Sequence, residues 1–189
     1  MTLLKPVLAK VVMDLIVTIR SADPGGIDPD DALQLTEGAE RTLGSGLADA
    51  SDEERHELVR LFRENAEHEG VPGRRAVASE FAEAMHLAVE EHGEDRRTPV
   101  ALIRVLAKAA MDLLLLMELA DDDIIDPDDA VKITEWASGD LRAGLDQASE
   151  EDRQELIGLF RDFAAAEEDP ERRELALEFP EAMGLVPEH

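Results

Sequence analysis

The chain has 189 residues, with 45 acidic side chains against 19 basic ones and a formal net charge of −26. Such a surface repels phosphate backbones and anionic headgroups, so direct binding of nucleic acid or of a lipid surface is excluded as an expectation. There is no cysteine and only 3% aromatic residues, which removes disulfides, thiol nucleophiles and Cys-ligated metals and leaves a core of Leu, Val, Ile, Ala and Met.

The first helix is predicted from Leu3–Pro6 to about Ser21. Its opening resembles a signal segment, but Lys10 and Asp14 interrupt the apolar run and no small-residue cleavage site follows. A cytosolic protein is therefore expected. The second helix opens at Asp28-Pro29-Asp30-Asp31, where a capping Asp precedes Pro at the first helical position and two carboxylates face the positive helix end. The third opens at Ser51-Asp52-Glu53-Glu54, a capping-box pattern. Pro72 opens the fourth.

From there the chain starts again. Pairing residues 8–87 with residues 106–185 gives 41 identities in 80 positions without a gap, at a fixed offset of 98. Thr98-Pro99 opens a fifth helix running to about Ala120, Asp126-Pro127-Asp128-Asp129 a sixth, Ser149–Asp152 a seventh and Asp169-Pro170 an eighth. Of the two serine starts, only Ser51 has the Glu that the capping-box pattern strictly asks for. Repetition of this kind means a duplicated supersecondary unit.

The apolar positions recur at three and four, never at two. Ala32, Leu35, Ala39, Leu43 and Leu47 form one stripe, repeated at Ala130, Ile133, Ala137, Leu141 and Leu145. Leu58, Leu61, Phe62 and Ala66 form another, repeated at Leu156, Leu159, Phe160 and Ala164. The first and fifth helices are apolar nearly all round, so each must be covered on several sides. The expected fold is all-α: a tandem duplication of a four-helix module (residues 1–92 and 99–189, joined by 93–98) packed as one pseudo-twofold helical body. The first and fifth helices are expected at its centre. Charges within the fifth helix argue against a membrane span.

Candidate chemistry is sparse. The DPDDA motif has carboxylates at alternate positions, as calcium loops do, but lacks the central Gly and distal Glu, and helix capping explains each of its residues. Glu83 and His86 have the spacing of a di-iron ligand pair, yet Gly184 stands where the second copy would need its His. His86 therefore reads as a surface residue, and no metal or cofactor is expected. Lys10/Asp14 and Lys108/Asp112, with Arg104, form charged stripes on the two most apolar helices, read as ion pairs or as a polar seam. Arg74-Arg75 and Arg172-Arg173 oppose a helix dipole, which predicts carboxylate partners among Glu80, Glu83 or the DPDD cluster.

Trp136 stands where the first copy has Gly38, about 130° from the centre of its helix's apolar face at 100° per residue. It is a candidate interface anchor or a cover for a neighbouring helix, and Asp121, Asp122 and Asp123, just upstream of the second DPDDA motif, are further candidate partner-binding residues. No nucleophile–base constellation or phosphate loop is present, so enzymatic chemistry is not expected. The acidity has two readings. One is solubility or salt adaptation, with which 4 Lys against 15 Arg is compatible. The other is attraction of a basic protein partner, for which an inhibitor or immunity-type protein is the analogue in character. The alternatives are an apolar small-molecule pocket between the central helices or a helical enzyme with an unrecognised site, and the sequence leaves the oligomeric state open.

Overall fold

The side chains able to cap a helix decide where each one starts. In the computed structural model, which describes residues 4–22, 26–48, 50–91, 102–120, 124–182 and 185, eight helices follow in order. They are α1 (Leu4–Arg20), α2 (Pro29–Ala48), α3 (Asp52–His68), α4 (Pro72–Glu91), α5 (Leu102–Leu119), α6 (Pro127–Leu145), α7 (Glu150–Ala166) and α8 (Pro170–Ala182). Asp28 and Asp126 each accept the backbone N–H two residues on, at 2.9 Å, satisfying a donor that the helix cannot. Ser51 with Glu54 closes a capping box. Ser149 with Asp152 closes the same box although Asp is one methylene shorter, with backbone contacts of 3.1 and 3.3 Å. The strict Glu requirement was thus too narrow. The proposed start of the fifth helix at Thr98-Pro99 and the linker 93–98 lie outside the described residues.

Two helices carry the core. α1 has 10 buried residues out of 17 and α5 has 13 out of 18, including Asp112. They pack on each other, and the remaining helices cover them. α1 touches α2, α3, α4 and α6, while α5 touches α2, α3, α6, α7 and α8. The stripes predicted for α2 and α3 are buried in full; on α6 and α7, Ala130 and Leu159 are only partly covered. Burying a Leu or Ile side chain is favourable by about 1.5–3 kcal/mol, so these two helices contribute a large share of the core's stabilisation.

The cover is cross-laid. α2 lies chiefly on α5, and α6 makes its main packing on α1, each helix reaching across to the opposite half of the chain. Two glycines permit the approach. A Cβ built on Gly46 would run into both γ-methyls of Val105, and one on Gly144 would lie 2.6 Å from a γ-methyl of Val7. Between the starts of α2 and α6, Ile27 and Ile125 form an isolated antiparallel bridge, and both side chains are buried. There is no strand among the described residues.

The Gly46–Val105 approach can be tested directly. Gly46→Ala should cost about 1–3 kcal/mol by overpacking despite the better helix propensity of Ala. Adding Val105→Ala should recover part of that loss in a double-mutant cycle read by urea unfolding. A stabilising Gly46→Ala would mean that α2 and α5 do not cross there.

Candidate functional site

The charges kept on α1 and α5 sit where those helices meet their crossing partners. Lys10 on α1 pairs with Asp14 one turn on and with Asp140 of α6, 2.6 Å away. On α5, Asp112 binds Lys108, accepts from Thr42 of α2 at 3.0 Å and lies 3.5 Å from Arg172 of α8. These groups form a polar seam between elements distant in sequence, one of the two readings of the stripe. Arg104 leaves the stripe: it pairs with Asp162 of α7 at 3.6 Å and stacks on Phe163 with 5.0 Å to the ring centroid.

The two seams are electrostatically unequal. Burial alone would lower the Lys10 ammonium, but its bonds to Asp14 and Asp140 outweigh that and hold its pKa above the ordinary lysine value. Asp14 shares that one ammonium with Asp140. Burial therefore pushes its carboxyl pKa up, and Lys10 only partly opposes the effect. Asp112 instead faces two cations and a hydroxyl.

One arginine of each pair has a carboxylate partner, but not one of those expected. Arg74 pairs with Glu69 at 3.0 Å and donates to Thr18 of α1, while Arg75 donates to the Glu69 carbonyl. Arg172 pairs with Glu167 at 3.1 Å, and Arg173 donates to the Glu167 carbonyl. Each glutamate follows the preceding helix, so it lies beside the start of the helix that carries the arginines. That proximity in the turn outcompetes Glu80, Glu83 and the DPDD cluster. At Glu69 the Val71 N–H, with Arg74, holds the pKa below the ordinary value. At Glu167 burial would raise it, but Arg172 and the Asp169 N–H prevail and it too is lowered.

Trp136 is 38% exposed and lies against α1. The Lys10 ammonium is 5.9 Å from its ring centroid, and Thr18, Arg74, Lys132 and Ile133 line a shallow hollow beside it of about 320 Å³. Three cations surround this Trp, each engaged by carboxylates: Lys10 as above, Arg74 by Glu69 and Lys132 by Asp129. Its ring thus lies among ion pairs, one of which includes Asp129 at the start of α6. Asp121, Asp122 and Asp123 lie outside the described residues. Glu83 is exposed and engaged by Arg63 at 3.0 Å, and His86 is partly buried rather than on the open surface. Among the described residues, no group of three or more His, Cys, Asp or Glu is placed to hold a metal ion. No described helix is long and apolar enough to cross a membrane.

Sequence reasoning missed the polar atoms that hold the turns. Arg55 is buried at 4% exposure and donates to the Leu47 carbonyl at 2.8 Å; Arg153 does the same for Leu145 at 3.1 Å. Recurrence of arginine at both positions was the available signal. Glu54 also accepts the backbone N–H of Leu102 at 3.0 Å, tying α3 to the start of α5.

Two outcomes follow. Asp112→Asn leaves Lys108 and Arg172 facing a neutral group and should cost about 2 kcal/mol, whereas Asp14→Asn leaves Lys10 with Asp140 and should cost less than about 1 kcal/mol in urea unfolding. Equal costs would contradict the asymmetry of the seams. Glu69 and Glu167 have folded-state pKa values below their ordinary value of 4.5. Their contribution is therefore present above that value and lost as pH falls through the folded-state pKa. The double substitution Glu69→Gln, Glu167→Gln should flatten the acid-side fall of Tm; an unchanged acid limb would remove these glutamates from the explanation.

No protein-family model, curated protein or solved structure matches the chain.

Proposed function

We propose that the chain is a non-enzymatic cytosolic interaction protein built as two four-helix modules about a pseudo-twofold axis, and that it binds a basic protein partner through an acidic pole. The modular reading is supported by pairs of contacts related by the 98-residue offset. Gly46–Val105 matches Gly144–Val7, Ile27 bridges its own counterpart Ile125, and the Arg55, Arg74 and Arg75 contacts recur at Arg153, Arg172 and Arg173.

The observation that carries the interaction reading is the Ile27–Ile125 bridge. It joins the two segments that lead into α2 and α6, each of which opens with three carboxylates: Asp28, Asp30 and Asp31 on one, Asp126, Asp128 and Asp129 on the other. The Asp121–Asp123 run directly precedes Ile124 in the chain. Many of the protein's cations pair internally: Lys5, Lys10 and Arg20 between helices, Arg74 and Arg172 across turns, and Lys108 within α5. The excess of acids therefore faces solvent and favours association with a positive surface. Trp136, with its ring partly open, is kept as a second, separate contact point.

A small-molecule binder remains the second reading, favoured by a hollow of about 280 Å³ where Leu35, Leu116, Leu119, Ala120 and Ile124 meet beside Asp31.

The test compares the wild-type chain with the variant Asp30→Asn, Asp31→Asn, Asp128→Asn, Asp129→Asn, which leaves the capping Asp28 and Asp126 in place. Immobilised in lysate of the source cell at low salt, the wild type should retain a basic protein. The variant should not, and the complex should come apart at high salt, where screening shortens to about 3 Å at 1 M. Equal capture by both proteins would overturn the acidic-pole reading. An apolar ligand co-purifying without any protein would favour the second reading.

A further inference from the structure

Arg20 ends α1 by folding into a slot against α2. Its Nε donates to Thr36 Oγ1 at 3.0 Å, its guanidinium pairs with Glu40, and its side chain is 17% exposed. Burial raises the Glu40 pKa, while Arg20 opposes that shift and the neighbouring carboxylates Glu37 and Glu80 add to it. The slot is thus an acidic, partly buried site filled by a guanidinium of the same chain.

At the offset of 98 the lining survives but the plug does not. Thr36, Glu37, Glu80 and Phe81 recur as Thr134, Glu135, Glu178 and Phe179, whereas Arg20 becomes Glu118, Glu40 becomes Ser138 and Arg41 becomes Gly139. These second residues surround a cavity of about 400 Å³ between α5, α6 and α8. Thr134 lines the cavity, and its Oγ1, covered from solvent, has no hydrogen-bond partner, while the matching Thr36 hydroxyl accepts from Arg20. A buried hydroxyl left without a partner calls for a group that satisfies it. On the rim, Glu118, Glu135 and Glu178 outnumber the single lining cation, Arg142, which stands where the first half has Gly44. Leu175 and Phe179 give the cavity an apolar wall.

We propose that this cavity binds an alkylguanidinium cation, the group that Arg20 supplies in the other half. The planar fork pairs with the rim carboxylates and, by displacing the side-chain atoms that cover it, donates to Thr134 Oγ1, while the alkyl stem lies along Leu175 and Phe179. The cavity size falls in the range of small-ligand sites, roughly 300–1,000 Å³, and exceeds what one guanidinium fills, which leaves room for that stem. The cation is either a free small molecule or an arginine side chain of another protein. The site goes beyond the acidic-pole reading, because the cavity takes this group whether or not the pole binds a basic protein.

The full chain is titrated with propylguanidinium, N-acetylarginine methylamide and propylammonium, by calorimetry at constant ionic strength. The two guanidinium probes should bind saturably at one site, about tenfold more tightly than propylammonium. Tighter binding of propylguanidinium marks a free metabolite as the source; tighter binding of the capped arginine marks a protein side chain. Thr134→Val, nearly equal in size, should weaken both by about tenfold, the effect of one lost hydrogen bond to a charged group. Glu118→Arg with Ser138→Glu, which rebuilds the plug, should abolish binding; its folding is checked by circular dichroism, and Thr134→Val carries the test if it fails. The acidic-pole variant should bind the probes as the wild type does. Absence of saturable binding in the millimolar range overturns the proposal. So does equal binding of propylammonium, or probe affinity untouched by Thr134→Val.

Discussion

Everything in this structure follows from the need to keep water away from α1 and α5 on nearly every side. A helix with one apolar stripe can lie on a surface, but a helix without a broad polar face has to lie inside. Ten buried residues on α1 and thirteen on α5 cannot be covered by one another alone. Six further helices are therefore arranged around them. Magnitudes support that order of causes. Each large apolar side chain withdrawn from water is worth about 1.5–3 kcal/mol, while an exposed ion pair contributes about 0–1 kcal/mol. Pairs such as Arg60–Glu64, half exposed on both sides, decorate the outcome rather than decide it.

Apolar burial has no direction, so it cannot by itself choose which helix covers which. The choice is made by short-range features at the crossings. Gly46 and Gly144 let α2 and α6 approach the valines of α5 and α1 closely, and a side chain at either place would force the helices apart. Asp140 reaches Lys10, and Thr42 reaches Asp112, only when those crossings have the observed register. A rotation of α6 that strips Lys10 of Asp140 would also drive Gly144 away from Val7, so steric and polar signals select the same arrangement. Partly buried polar groups act here as register marks, whatever their net contribution to stability.

How much of this could be read from the residues depended on the range of the interaction. Caps are local: Asp28, Asp126, Ser51 and Ser149 bond to backbone two or three positions away, and all of these starts were legible. The buried faces of α2 and α3 were legible too, since periodicity reports which side of a helix is apolar. It does not report which helix lies against that side, so the Lys10–Asp140 and Thr42–Asp112 contacts could not be found. Arg74 and Arg172 failed differently. Their partners are close in sequence, but Glu69 and Glu167 meet them only once the turn has folded back. The cavity beside Thr134 was invisible for a third reason. Its signature is the joint loss of Arg20 and Glu40 from one copy, and nothing in the linear order shows that residues 20 and 40 touch.

Positions 98 residues apart in the sequence also differ in places without disturbing the core. Trp136 replaces Gly38, a large change in volume. Around Gly38 the neighbouring α5 presents Leu116, whose δ-methyl lies 3.8 Å from where a Cβ would stand. At the matching place beside Trp136, α1 presents the smaller Thr18. Leucine with glycine and threonine with tryptophan are complementary fillings of the same contact. The bulk has moved from one helix to the other, so the ring is accommodated without prising α6 from α1. The Arg20 position lacks such compensation: Glu118 has no matching cation at Ser138 or Gly139, and space opens instead. One difference was repacked and the other was left open. A substitution that conserves filled volume keeps a crossing intact, whereas one that empties a polar slot and strands a hydroxyl leaves a site whose chemistry is written by what it no longer contains.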